Sequence, residues 1–412
     1  MPVELPVRDP GKTPPSLPGV LVWLVLFIVF MLVGVGFALL TWTKGESTST
    51  PWFWVNLLVY PALAWCGALG LRKLYYDQEM DRIDAEDETL QEDRQETIRF
   101  GREPLAVIAS AYRCALDSGN GASAIVLGHT ALKTQKTRFH NLPVRHTALV
   151  LPTDDPEQSR YSLLFMELIG SLHDVLAALP RDVPFNIRLQ LPPDSQHDEL
   201  MSLWEDCWRE FKLRPVRPTL LPVEQGLIAL DDWLDLYGGP ELQKFTLFVA
   251  VQLHDTSPAD SAEAGVALLL CWPLVAVRKK LTPMAMMHRP LETATVALNE
   301  DILTALLWGG AVPDEIFHVW QTGLDTEDKA ALNRASLVLK LGVVSSEGLS
   351  GLHDVDNAVG YAGAAASWLA AALAIENAQQ HQQPQMIVCR EGALRLAIVQ
   401  PIANENKVEA TE

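Results

Sequence analysis

The stretch PTLLPVEQGLIALDDWLDLYGGPELQKFTLFVAVQLHD, residues 218–255, reads as a strand, a sharp turn, an amphipathic helix, a glycine-marked loop and a second strand. A turn that opens a helix suits a nucleophile, because free N–H groups there stabilise developing negative charge. This turn holds Val223, Glu224 and Gln225, and none of them is a plausible nucleophile. Other reactive residue types are scattered. His353, Asp354 and Asp356 in LHDVDN could ligate a metal, but polar residues in a loop before a helix serve more often as turn and cap groups. His140 and His146 flank NLPVR without a visible partner, and Ser345 and Ser346 lie in SSEG, which is not a nucleophile elbow. The cysteines, Cys66, Cys114, Cys207, Cys271 and Cys389, are odd in number and lack CxxC or Cys/His spacing. Neither a disulfide framework nor a zinc site is indicated. Cys207 and Cys271, among apolar neighbours, read as small buried hydrophobes. YGGP marks a loop, and no glycine motif cradles a phosphate. The expectation is no metal and no cofactor. A net charge of −19 argues against nucleic acid, since phosphate binding needs concentrated basic surface.

The elements around these residues begin with two uncharged runs. Val20–Trp42 is long enough to cross about 30 Å of hydrocarbon, and its core is too long for a cleavable signal peptide. The second run, Trp52–Leu71, starts with Trp52 and Trp54, as an interfacial belt requires, and contains Pro61, which predicts a kink. Together they predict a transmembrane hairpin at 20–71 after a tail at 1–19. Arg8, Lys12, Arg72 and Lys73 flank it, against Lys44 alone in the loop. That bias places tail and C-terminal body in the cytoplasm and the loop outside. An acidic connector follows at 72–103; between Asp77 and Glu96 it holds ten acids and two bases. It reads as a solvated helical spacer, with a docking strip for a basic partner as the sharper alternative.

From 104 to 402 apolar strands alternate with amphipathic stretches, and 403–412 is a polar tail. This alternation predicts α/β layers with a largely covered sheet. NAVGYAGAAASWLAAALAIENAQ, residues 357–379, predicts a helix without bulk on any face, which has to be packed on all sides.

These stretches resemble the thiolase-like superfamily, the fold of the β-ketoacyl synthases: a layered sandwich of two similar α/β halves with a buried helix in each. EQGLIALDDWLDLYGGPELQKFTLFVAV resembles the segment that opens on the catalytic cysteine; SAEAGVALLLC resembles the strand after it. FHVWQTGLDTEDKAALNRA and VGYAGAAASWLAAALAIENAQ resemble the two histidine motifs. The resemblance implies halves of about 104–255 and 256–402. It puts the nucleophile position on Val223 or Glu224, the first histidine on Trp320 or Gln321 and the second on Tyr361. None of these supplies a thiolate or an imidazole, which implies a degenerate site and no catalysis.

A membrane hairpin on such a body is also similar to a family of proposed adaptors beside type VI secretion lipase effectors, through LMSLWEDCW and SGLHDVDNAVGYAGAAASWLAAAL. That resemblance implies a non-catalytic adaptor or chaperone tethered to a bacterial inner membrane. Its partners would be a secreted effector, a phospholipase among the candidates, and the spike protein, with homodimerisation open as well. The alternative is a membrane-bound acyl-thioester enzyme related to β-ketoacyl synthases, with Glu224 as base.

Overall fold

A computed structural model describes residues 5–6, 16–17, 19–42, 47, 49–116, 119–136, 143–151, 159–236, 239–345 and 349–402. His140, Ser346, the tail lysine and arginine, Lys44 and the polar tail at 403–412 lie outside them. The chain divides into two compact units, residues 4–97 and a body from Ile98 onward.

In the smaller unit, helix α1 (Val20–Thr41) is followed by α2 (Pro51–Gly101), whose last residues belong to the body. Both are long and apolar enough to cross a membrane by length and composition. Apolar side chains along α1 face outward, Leu40 being 88% exposed. The helices touch where Trp65 Nε1 donates to the carbonyl of Trp23 at 3.0 Å and Phe27 meets the Trp65 ring edge-on. A π-helical turn, Val55–Val59, precedes Pro61, where proline's missing N–H would otherwise break the ladder. The acidic stretch continues α2 as helix.

The body repeats one chain order twice. Strand β1 (Leu105–Arg113), helix α3 (Arg160–Ala178), β2 (Phe185–Gln190), α4 (His197–Glu210), β3 (Pro218–Leu220), α5 (Ala229–Leu234), β4 (Phe245–Gln252) and β5 (Ala264–Cys271) make the first half. The second runs β6 (Ala285–Met287), β7 (Leu291–Thr293), α6 (Leu298–Gly309), β8 (His318–Thr322), α7 (Thr326–Leu339), β9 (Leu352–Asp354), α8 (Ala366–His381), β10 (Gln385–Glu391) and β11 (Ala393–Pro401). In each half three strands are parallel, β3–β2–β4 and β9–β8–β10. Two antiparallel neighbours follow, β5 then β1 in one half and β11 then β6 in the other. Pairing of β6 with β1 joins the halves. The expected boundary after 255 moves accordingly: β5 pairs with β4 and β1, so the first half extends to Cys271.

Strand alternation sorts the side chains into layers. Leu247 and Val249 of β4 pack with α3 and α4, whereas Phe248 and Ala250 face the central layer of α5 and α8. In β10, Met386 and Val388 pack with α6 and α7, and Ile387 and Cys389 face the centre. Helix α3 also satisfies the length and composition of a membrane span, yet Leu164, Phe165, Leu168, Ile169 and Leu172 on it are buried in the body's core. The alanine-rich helix is the buried one expected, but it starts at Ala366 rather than 357. Gly360 has φ +99°, and a Cβ there would lie 2.4 Å from the Ser261 carbonyl oxygen, so the chain turns instead of continuing the helix. Its counterpart α5 is reduced to Ala229–Leu234 behind a 3₁₀ turn.

Candidate functional site

Val223, Glu224 and Gln225 lie where β3 gives way to α5, at the inner face of the two halves. Their turn is held by its carbonyls. Gln190 Nε2 donates to Val223 O at 3.2 Å, and the Arg395 guanidinium donates to the carbonyls of Glu224 and Gln225, the latter at 2.9 Å. Gln190 is itself fixed by Trp368 Nε1 at 2.8 Å. A side chain at position 224 projects from this clamp into solvent; Glu224 is exposed.

One N–H of the helix start has an internal partner. Glu391, at the end of β10, accepts from Leu227 N at 3.2 Å, from Ser367 Oγ and from Arg395 Nη1 at 2.6 Å. Gly226, with φ +40°, makes room for it: a Cβ would fall 1.8 Å from the Glu391 carboxylate. A resident carboxylate therefore occupies the helix start, and a substrate carbonyl has to find its hydrogen-bond donor elsewhere.

The other implied positions are divided. Trp320 is completely buried, its Nε1 donating to Gln385 Oε1 at 3.1 Å, and Gln321 is buried beside it. Thr322, which follows them, reaches the site instead: its Oγ1 donates to Asp356 Oδ1 at 2.6 Å, and Gly323 N donates to the other oxygen at 2.6 Å. Tyr361 is half-exposed and near the carboxylates. Burial raises its hydroxyl pKa, and the charges of Asp356 and Glu391 push the same way, so it remains a protonated donor. Burial raises the Asp356 pKa too, opposed by its Thr322 and Gly323 hydrogen bonds. The Cys389 thiol is pushed well up by burial, then by Glu391, and is no thiolate.

Of the remaining sequence candidates, Asp354 caps a short helix by accepting from Asn357 N at 2.9 Å, and Ser345 Oγ donates to the Gly342 carbonyl. His146 Nδ1 lies 2.7 Å from Ser261 Oγ, both buried. Sequence reasoning missed Glu391, Arg395, Thr322 and Gln190. A signal existed for two of them: Arg390, Glu391 and Arg395 interrupt the otherwise apolar run 386–399, and charges in a strand buried on both faces need partners.

No family model and no curated protein matches the chain. Solved structures do. A ketosynthase from module 6 of the bacillaene synthase of Bacillus subtilis 168 is similar with a TM-score of 0.55, at 10% identity, over 74% of this chain and 71% of that one. One from module 1 of the bacillaene synthase of Bacillus amyloliquefaciens FZB42 gives 0.54, at 11% identity, over 74% and 77%. The ishigamide ketosynthase/chain length factor gives 0.51, at 14% identity, over 73% and 100%. The body thus has the thiolase-like fold of ketosynthase domains. These similarities also correct an expectation. The non-catalytic type VI secretion adaptor, delivering a lipase effector to the spike, is displaced by the ketosynthase-related alternative, because the body's structural neighbours are ketosynthases and nothing links the chain to secretion.

Proposed function

We infer that the chain is a membrane-bound acyl-thioester enzyme related to the β-ketoacyl synthases, working without a covalent acyl-cysteine. Support comes chiefly from one observation: both halves of the ketosynthase architecture are kept while Leu227 N at the helix start donates to Glu391. In this reading Tyr361, not Glu224, meets the substrate, its protonated hydroxyl donating to the thioester carbonyl. Helices α1 and α2 are the anchor, a hairpin with the body in the cytoplasm, supported by their length and by Arg72 and Lys73 at the end of the second apolar run.

The test uses full-length protein in detergent with malonyl- and long-chain acyl-CoA, followed by chromatography of products and intact-mass spectrometry. Expected are thioester turnover, an unchanged protein mass, and a loss of about a hundredfold in Tyr361→Phe, the lower end for a general acid. Glu224→Ala should leave turnover intact. Absence of turnover with every thioester sinks the enzyme reading, and an acylated cysteine sinks the non-covalent one.

A further inference from the structure

A pocket of about 160 Å³ lies beside the elbow turn, between the central face of β2 and β4 and helix α5, with Leu221 and Gln225 of the turn in its wall. At about 30 Å³ of liquid per molecule it holds roughly five waters, or one small anionic group with some of its hydration. Its lining is unusual for a site meant for an apolar acyl chain. Arg188 of β2 and Lys244, next to β4, both line it; burial lowers the Lys244 pKa, with Glu241 opposing and the Arg188 charge adding to it. Lys244 stands over the Trp233 ring at 5.6 Å; its Glu241 contact, at 3.8 Å, is with a carboxylate that is 75% exposed.

Two donors on lining residues lack partners. Thr246 Oγ1 and Trp233 Nε1 are buried without a hydrogen bond among the described residues. Buried polar atoms are normally satisfied, and these two belong to side chains that line the cation-bearing pocket. Asn186 and Gln225 add amides. The opposing group is Asp232, an exposed carboxylate at the rim.

We propose that this pocket binds the anionic group of a small ligand, a phosphate or carboxylate oxyanion, held by Lys244 and Arg188. The inference deepens the acyl-thioester reading, because an anion seated here belongs to a substrate or carrier lying along the elbow turn. Lys supplies a point charge and Arg a planar fork, which together suit either oxyanion.

Isothermal titration of full-length protein in detergent with inorganic phosphate, coenzyme A and succinate tests it without any thioester chemistry. Binding of at least one in the millimolar range or tighter is expected, weakened about tenfold in Lys244→Met and in Arg188→Gln, as for loss of a charge-assisted hydrogen bond. Lys244→Arg should retain it. Asp232→Asn, an exposed change that does not threaten folding, should tighten it by removing the opposing charge. Preference for phosphate and coenzyme A assigns the anion to a carrier; preference for succinate assigns it to the acyl group. No binding of any probe overturns the proposal, as does binding unchanged in both Lys244→Met and Asp232→Asn. A protein that binds anions here yet turns over no thioester refutes the functional reading alone.

Discussion

Arg395 supports three acceptors at once: the Glu391 carboxylate and the carbonyls of Glu224 and Gln225. Its side chain is 5% exposed and that of Glu391 11%. Removing only the cation leaves a buried charge uncompensated. Arg395→Met should therefore cost about 3–5 kcal/mol, read by chemical denaturation. The double variant with Glu391→Gln should recover part of it, because no charge is then stranded; an additive double variant denies the coupling. Gly226→Ala acts from the other side. Its positive φ disfavours a side chain, and the new methyl would collide with Glu391. The expected result is a destabilised body with an altered turn, detectable as a lower thermal midpoint and faster proteolysis at the elbow. Wild-type values for this variant would mean that the carboxylate moves freely.

Among the elements, α8 and the β8–β9 pair make separable predictions. Ala370, Ala371 and Ala374 are buried to within 1% exposure, with neighbours on every side. Ala374→Leu adds volume where none is free and should cost about 1–3 kcal/mol by overpacking; an unchanged denaturation midpoint would deny close packing. On β8 and β9, His318 Nδ1 and His353 Nε2 are 2.8 Å apart. Burial first, then neighbouring imidazoles, pushes both pKa values down to about 4. The unfolded chain takes up these protons near pH 6.5 while the folded one refuses them, so their contribution to stability falls as pH drops from 6.5 towards 4. Asp356, with a raised pKa, works oppositely over part of this window. Comparing His353→Gln with wild type isolates the imidazoles: the variant's denaturation midpoint should fall less steeply between those values. Parallel slopes would contradict the assignment.

For the molecule as a whole, the proposed anchor and the layered body are expected to separate in behaviour. Full-length protein should stay with membranes through alkaline carbonate washing, whereas residues 98–412 should be soluble and keep a cooperative unfolding transition. A full-length chain released by carbonate would refute the spanning hairpin. A body that unfolds without 4–97 would show that the two units do not fold independently.

Much of the architecture was legible because it rests on periodicity. Unbroken apolar runs marked 20–42 and 52–71 as candidate spans, and alanines without a polar face marked a helix packed all round. The half boundary was misplaced because β5 comes after a loop and, read in line, looks like the start of something new. Only pairing with β4 and with β1, whose Tyr112 stands opposite Val266, assigns it to the first half.

The site was legible only in the negative. Local sequence showed that no nucleophile stands at Val223, Glu224 or Gln225, because residue identity alone decides whether a thiol is there. What stands in its place depends on Glu391 and Arg395, more than 160 residues further along the chain, meeting a glycine whose missing side chain admits them. The pocket of Arg188, Lys244, Thr246 and Trp233 likewise draws on two strands and a helix. Composition and spacing determined the elements and what the turn lacks. The fold alone decided which distant charges share a buried volume, because burial and pairing are properties of three-dimensional neighbours rather than of neighbours in sequence.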